Sequence, residues 1–105
     1  MNSDAHTLLL HVVPGDTEPL RDQIARQVRD RIVRGEVQAG ARLPSHRQLA
    51  RQHRVAPSTV EAAYARLIEQ GLLAPLPDGT VEVVALAQNR RRELVERLQL
   101  DALVA

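Results

Sequence analysis

Three arginines and two hydroxyl residues lie close together in the middle of the chain. Arg47, Arg51 and Arg54 recur at spacings of four and three, and Ser58 and Thr59 follow them. A guanidinium can hold a phosphate or the edge of a guanine with two donors, and hydroxyls and amides at the start of a helix bind anions. These residue types at this spacing predict contact with the phosphates and base edges of DNA. The alternative interpretation is an arginine-rich helix face that meets only solvent.

The charge distribution supports the DNA interpretation. Residues 19–71 contain ten arginines against five acidic residues, a net charge of +5, whereas the whole chain carries only +1. Every basic residue is arginine, which suits forked contacts with phosphate and guanine better than lysine does. Arginine-rich codon usage is an alternative explanation for the missing lysine.

The composition argues against several other classes of protein. Tyr64 is the single aromatic residue, so stacking on several single-stranded bases is not expected. The chain has no cysteine and its four histidines lack a second cluster of ligands at metal spacing, so we expect neither a disulfide nor a metal site. The sequence has no catalytic triad, glycine-rich phosphate loop or pair of carboxylates among apolar residues, so we expect neither enzymatic activity nor a bound cofactor. The longest apolar run, residues 8–13, is too short to span a bilayer and no signal-peptide pattern precedes it, so a cytoplasmic protein is expected.

Two helices joined by a short turn are predicted around the arginine cluster. Ser45 and Gln48 form a capping box, which starts the first of these helices. That helix is expected to end at about His53, because Pro57 disfavours helical backbone in the residue before it and is favoured as the first residue of the next helix. The second helix carries apolar residues at spacings of three and four and ends before Gly71. One basic and one apolar side on such a pair is typical of a helix-turn-helix, whose second helix enters the major groove of DNA.

The flanking segments complete a winged helix over residues 17–85. A first helix is predicted from Pro19 to Arg34, with Thr17 as its N-cap. Two β-prone runs flank Asp78-Gly79 and predict a hairpin, which is a wing when it directly follows a helix-turn-helix. Residues 1–16 are predicted to form a tail and a short strand at 8–13, which either adds an edge to the domain or pairs with a partner subunit.

The last segment, residues 86–105, is predicted to be an amphipathic helix. An apolar stripe that extends past a compact domain needs cover, and a symmetric dimer would bury the same stripe twice. The predicted dimerisation residues are Leu94, Val95, Leu98 and Ala102.

Motifs across residues 19–83 follow the pattern of one known family. Pro19-Leu20 with Gln23-Ile24 opens the first helix, and Gly35-Glu36-Val37 with the run from Gly40 to Ser45 forms the linker after it. Matching positions further along are Arg47, Leu49, Ala50, Val55, Thr59, Val60, Ala63, Leu67, Gly71, Leu72 and Gly79-Thr80. With these residues the sequence resembles the DNA-binding domain of the GntR family of bacterial transcription regulators. Pro57 with Thr59-Val60, and the pair Ala63-Tyr64, are similar to the YtrA subfamily, in which a short helical appendix follows the wing. From the length we expect no large effector-binding or aminotransferase-like domain.

The resemblance implies roles for individual residues. It implies that Arg47 reaches DNA from the second helix, and that Ser58 and Thr59 lie near phosphates or base edges at the start of the recognition helix. It also implies repression of nearby genes, often genes for transporters.

Three departures from the family pattern stand out. Many members have arginine at the positions of Pro57 and Glu61, and a basic residue with two glycines in the wing where this chain has Pro77-Asp78-Gly79. Glu61 either accepts a hydrogen bond from a cytosine amine or repels phosphate.

Together these patterns predict a mainly α protein with a small β wing, a winged helix-turn-helix domain followed by a C-terminal amphipathic helix. The predicted function is that of a sequence-specific transcription regulator, a homodimeric repressor of the GntR type that binds an inverted repeat in double-stranded DNA. The alternative is a winged helix protein-interaction module that has lost DNA binding. No pocket for an effector is predicted from so short an appendix. The residues predicted to contact DNA are Arg42, Ser45, Arg47, Arg51, Arg54, Pro57, Ser58, Thr59, Glu61, Gly79 and Thr80.

Overall fold

Three helices and a small antiparallel sheet make up the described part of the chain. The computed structural model describes residues 8–85. The helices are α1 (Leu20–Val33), α2 (His46–His53) and α3 (Pro57–Glu69), and the strands are β1 (Arg42–Leu43), β2 (Leu73–Pro75) and β3 (Val81–Val83). The strand order is β1-β3-β2, so the predicted winged helix-turn-helix is confirmed. The predicted C-terminal helix lies outside the described residues, as do its proposed dimerisation residues Leu94, Val95, Leu98 and Ala102.

Local signals define both ends of α2. The Gln48 amide donates to Ser45 Oγ at 3.2 Å and the Ser45 amide donates to Gln48 Oε1 at 3.1 Å, which confirms the predicted capping box. The helix ends at Arg54, whose φ of 56° and ψ of 45° are left-handed. This residue reverses the chain, and α3 then starts with Pro57 as its first helical residue.

The core is aliphatic and is centred on α3. Val60 and Leu67 of α3 and Leu49 of α2 are completely buried, and α3 packs against both α1 and α2. Tyr64 is buried in the same core, and its hydroxyl donates to the Pro44 carbonyl at 2.8 Å. Gly71 has a φ of 78° and ends the helix segment, since only glycine adopts this backbone without steric cost.

The wing is a hairpin with a third strand beside it. Leu73 pairs with Val83 and Pro75 with Val81 in the predicted hairpin, and Gly79 turns the chain with a φ of 90°. β1 pairs with β3 on the other side. This strand was not predicted, because two residues are too few to show the alternating pattern of a strand.

The structure has no strand at residues 8–13, so the predicted edge strand of the domain is wrong, while pairing with a partner subunit stays a prediction. Side chains of α1 take the place of a neighbouring strand. The Val13 amide donates to Gln23 Oε1 at 2.8 Å and Gln23 Nε2 donates to the Val13 carbonyl at 3.0 Å. One helical turn later, Gln27 makes the same pair of bonds with His11, at 2.8 and 2.6 Å. The segment therefore satisfies its backbone on a helix, not in a sheet.

The predicted N-cap of α1 is also wrong. Pro19 occupies the N-cap position and no side chain caps the helix. Thr17 is held instead in the preceding turn, where its amide donates to Asp16 Oδ1 at 2.9 Å. Because the helix begins at Leu20, Thr17 lies two residues before the N-cap position and does not cap α1.

Candidate nucleic-acid interface

An open groove separates the exposed faces of α2 and α3. Its volume is about 620 Å³. The groove brings together five of the residues predicted to contact DNA, and three further residues complete its lining. The predicted residues in the groove are Arg47, Arg51, Pro57, Ser58 and Glu61, and the added ones are His46, Ala50 and Val55.

The arginines of the helix-turn-helix differ from those elsewhere in their pairing. Arg47, Arg51 and Arg54 are exposed, and their side chains have no ion pair or hydrogen bond with any described residue. By contrast, Arg26 and Arg66 pair with carboxylates at 2.9 and 2.8 Å. A guanidinium that is not already bound to a carboxylate can give its full set of donors to a phosphate or a guanine.

Arg26 shows how an arginine that is paired within the protein differs from the groove arginines. The Arg26 guanidinium donates two hydrogen bonds to Glu18, at 3.0 and 2.9 Å. These bonds lower the pKa of the Glu18 carboxyl and raise the pKa of Arg26. Arg26 is therefore committed to the protein, whereas the groove arginines are not.

The start of α3 adds a second feature that favours anions. Its N-cap is Ala56, and no side chain caps the helix. Pro57 has no N–H and the Thr59 amide donates to the Ala56 carbonyl at 3.0 Å, so the partial positive charge of the helix dipole is the main feature of this end that attracts anions such as phosphate. Ser58 is exposed and Thr59 half-buried at the same end, so a hydroxyl and the helix terminus are presented together.

Six predicted contact residues lie outside the groove, namely Arg42, Ser45, Arg54, Thr59, Gly79 and Thr80. Ser45 uses its hydroxyl in the capping box. Arg42 lies 3.4 Å from Asp78 in an ion pair, and the Thr80 hydroxyl donates to Asp78 at 2.6 Å. The bonds from Thr80 hold the pKa of Asp78 below its ordinary value. Gly79 and Thr80 line a smaller cavity of about 220 Å³ between α3 and the wing.

Two of the histidines lie near the groove and have different surroundings. His46 lines it. His53 is bound to the protein on both ring nitrogens, since the Leu10 amide donates to Nε2 at 3.0 Å and Nδ1 lies 3.0 Å from the Leu49 carbonyl. His53 therefore fastens the N-terminal segment to the end of α2.

Sequence reasoning missed Arg21 as a candidate contact residue. Arg21 is exposed and lines a second groove, of about 470 Å³, with Ser58 and Thr59. The starts of α1 and α3 meet there although about 37 residues of chain separate them, and no local pattern indicates such proximity. Arg21 lies 3.8 Å from Asp22, a looser pair than that of Arg26.

Residues 8–85 contain neither a metal-binding cluster nor a membrane-spanning helix. No group of three histidine, cysteine or acidic residues in this range could hold a metal ion. No helix in the same range is long and apolar enough to cross a membrane.

Comparison with known proteins identifies one family. Residues 20–83 match the family described as bacterial regulatory proteins, gntR family. The chain is 42% identical over 66 residues to the uncharacterised helix-turn-helix transcriptional regulator YisV of Bacillus subtilis, which covers 63% of this chain and 14% of YisV. It is 30% identical over 89 residues to the transcriptional repressor YtrA of the same bacterium, which covers 84% of this chain and 65% of YtrA. The chain thus spans less than two thirds of the length of either relative.

Solved structures give the same picture. YtrA from Sulfolobus acidocaldarius, a GntR-family transcription factor, superposes with a TM-score of 0.69 at 27% identity, over 91% of this chain and 98% of that one. The N-terminal domain of AraR in complex with a mutant of the operator ORR3 superposes with a TM-score of 0.60 at 25% identity, over 65% of this chain and 97% of that one. Because the family match covers more than half of the sequence, this chain belongs to the gntR family of bacterial regulatory proteins.

Proposed function

We propose that this protein is a sequence-specific transcription regulator that binds double-stranded DNA in the cytoplasm and carries out no catalytic step. The observation that carries the proposal is the groove between α2 and α3, where Arg47 and Arg51, which pair with no carboxylate among residues 8–85, lie beside the start of α3. This arrangement places positive charge, guanidinium groups that can each donate two hydrogen bonds, and the N-terminal end of a helix on one exposed surface. In a helix-turn-helix the second helix lies in the major groove and its first residues contact base edges. Here that helix is α3.

Family membership supports the proposal. The relatives include a transcriptional repressor, and the superposed AraR domain is in complex with operator DNA. On this basis we further propose that the protein acts as a repressor. A homodimer would place two α3 helices in successive major grooves, which requires an inverted repeat with half-sites about 10 base pairs apart or a multiple of that distance.

The first experiment tests DNA binding and its electrostatic origin. Duplexes bound by the full chain are selected from a random pool, and the affinity for the selected site is measured as a function of salt. If each subunit of a dimer neutralises about three phosphates, the logarithm of the binding constant should fall with the logarithm of salt concentration with a slope of roughly −5. Arg47→Ala should weaken binding and flatten that slope by about one for each bound subunit, if Arg47 contacts a phosphate.

A matched control is Arg34→Ala, which removes an arginine bound to Asp30 at 2.8 Å. Arg34 lines a different groove, at the end of α1, so affinity and salt slope should stay as in the unsubstituted chain. Equal losses in both variants would show a general effect of charge and would contradict the assignment of Arg47.

A protein-interaction module is the second candidate function, and the wing favours it. The exposed carboxylate of Asp78 accepts hydrogen bonds from Arg42 and Thr80, so an acidic group lies where a wing would meet phosphates. Such a module would select no duplex from the pool, and binding of its partner through apolar surface would respond little to salt. The selection and the salt series therefore distinguish the two functions.

The dimer has its own test, since its predicted residues lie outside the described part of the chain. Leu98→Glu should convert a dimer into a monomer in sedimentation equilibrium, because a charge in an apolar interface is costly. Leu98→Met keeps an apolar side chain and should preserve the dimer. A dimer that survives Leu98→Glu would refute this interface.

A further inference from the structure

Glu61 is an unusual residue for its position in the α2–α3 groove. Of the described residues that line this groove, it alone is acidic. Its side chain is exposed and makes no ion pair with Arg47, Arg51 or any other described residue, although both arginines line the same groove. The carboxylate thus retains its acceptors for a group that comes from outside the protein.

The position of Glu61 on α3 directs it toward a bound duplex. It lies four residues after Pro57 and three after Ser58, so the three share one face of the helix. The other exposed residues over the next turn are Ala62 and Ala65, whose methyl groups allow the helix to approach the floor of a DNA groove. Among the exposed residues from 57 to 65, only Ser58 and Glu61 have polar side chains, and Glu61 is the longer.

The chemistry of a carboxylate selects one base. An ionised carboxylate only accepts hydrogen bonds. In the major groove guanine presents the acceptors O6 and N7, and thymine presents O4, so both oppose a carboxylate. Adenine offers its N6 amine beside the acceptor N7, whereas cytosine offers its N4 amine without an acceptor. Cytosine is therefore the base that Glu61 matches best.

The neighbouring arginines reduce the repulsion between Glu61 and the phosphates of the DNA backbone, which favours a contact between Glu61 and a base. Arg47 and Arg51 line the opposite side of the groove on α2, where they can neutralise the phosphates that Glu61 would otherwise meet. We infer that Glu61 is a specificity-determining residue that accepts a hydrogen bond from the N4 amine of one cytosine in each half-site. This inference rests on the proposed DNA-binding function and names the base that the site reads.

The experiment compares the base preferences of the full chain and of Glu61→Gln, each selected from a random duplex pool. The unsubstituted chain should show one cytosine position in each half-site, at which another base lowers affinity by ~5- to 100-fold. Glutamine adds a donor and pairs with adenine through N6 and N7, so Glu61→Gln should change the preference at that position from cytosine to adenine. The preferences at the other positions should stay the same.

Glu69→Gln is the matched control. It makes the same chemical change at an exposed residue at the other end of α3, outside the groove, and should leave every preference unchanged. If Glu61→Gln selects the same sequences as the unsubstituted chain, Glu61 does not read a base, while DNA binding stands. A uniform gain in affinity over all sequences, without a change in preference, would instead show that Glu61 repels phosphate and would overturn the inference. If the unsubstituted chain selects no duplex, the proposed function fails and the base contact fails with it.

Discussion

Replacing Tyr64 by phenylalanine removes a single hydroxyl from the core and tests how α3 is held against the start of α2. The hydroxyl donates to the Pro44 carbonyl at 2.8 Å, and the ring is only 4% exposed. Pro44 directly precedes the N-cap residue of α2. This bond therefore links α3 to the start of α2, the two helices that form the proposed DNA-binding groove.

The expected loss of stability follows from the burial of this bond. Phenylalanine keeps the ring, so almost no apolar area is lost and the cost is polar. A net hydrogen bond contributes ~1 kcal/mol, and a buried acceptor left without a donor costs ~1–3 kcal/mol. We expect Tyr64→Phe to lower the free energy of unfolding by ~2 kcal/mol, which corresponds to a decrease in Tm of roughly 8–16 °C for a domain of this size.

The assay is urea unfolding monitored by circular dichroism, and the m-value should be the same in both proteins. Ser58→Ala is the matched control, because it removes an exposed hydroxyl from the same helix and should change the stability by less than ~0.5 kcal/mol. If Tyr64→Phe also loses less than ~0.5 kcal/mol, the hydroxyl is not the link between the helices and the reasoning is refuted.

The same residue predicts a dependence of stability on alkaline pH. Burial raises the pKa of the Tyr64 hydroxyl above its ordinary value. The unfolded chain therefore releases this proton near pH ~10 while the folded chain retains it. The contribution to stability is present below that pH and is lost as the pH rises above it. Tyr64 is the only tyrosine, so tyrosinate absorbance should appear together with unfolding, and its appearance in the folded protein near pH ~10 would contradict the burial argument.

Three further predictions concern the N-terminal segment, the turn and the wing. Gln27→Ala should remove both hydrogen bonds to His11 and increase the hydrogen exchange of the His11 amide, measured by NMR; unchanged protection would contradict the role of Gln27. Arg54→Gly should raise the free energy of unfolding by ~0.5–1 kcal/mol, because the strain of a left-handed φ that glycine relieves exceeds the entropic cost of glycine. The same change should weaken DNA binding. Urea unfolding and affinity measurements test the two predictions. Thr80→Val should raise the pKa of Asp78, since the bonds from Thr80 lower it, and a carboxyl NMR titration with an unshifted midpoint would refute this. The bonds stabilise the ionised Asp78, so their contribution is present above the ordinary pKa of an aspartate and is lost as the pH falls through the lowered one.

Much of the helix-turn-helix was predictable because its signals are local. Ser45 and Gln48 make a capping box from residues three apart, and Pro57 restricts the backbone next to it whatever the rest of the chain does. Gly71 and Gly79 supply positive φ where α3 ends and where the wing hairpin turns. These features depend on steric and hydrogen-bonding rules that operate over a few residues, so the sequence is enough to locate them.

The errors at residues 8–13 and at β1 occurred where a distant part of the chain supplied the hydrogen-bond partner. Residues 8–13 are β-prone, but the amides and carbonyls that a strand needs to pair are satisfied by Gln23 and Gln27. β1 is too short to show a pattern and exists only because β3 lies beside it. Strand pairing is a property of two segments, and the propensity of one of them does not determine it.

The candidate interface divides along the same line. The sequence alone determined which residues form the two helices, their basic character, and the presence of hydroxyls at the start of α3, because short-range chemistry and charge can be read from neighbouring residues. Only the tertiary structure decided which arginines remain available, since Asp22 binds Arg66 and Asp78 binds Arg42 across 44 and 36 residues of sequence. It also placed Glu61 in one groove with Arg47 and Arg51, because that proximity depends on how α2 and α3 pack and not on their spacing in the chain.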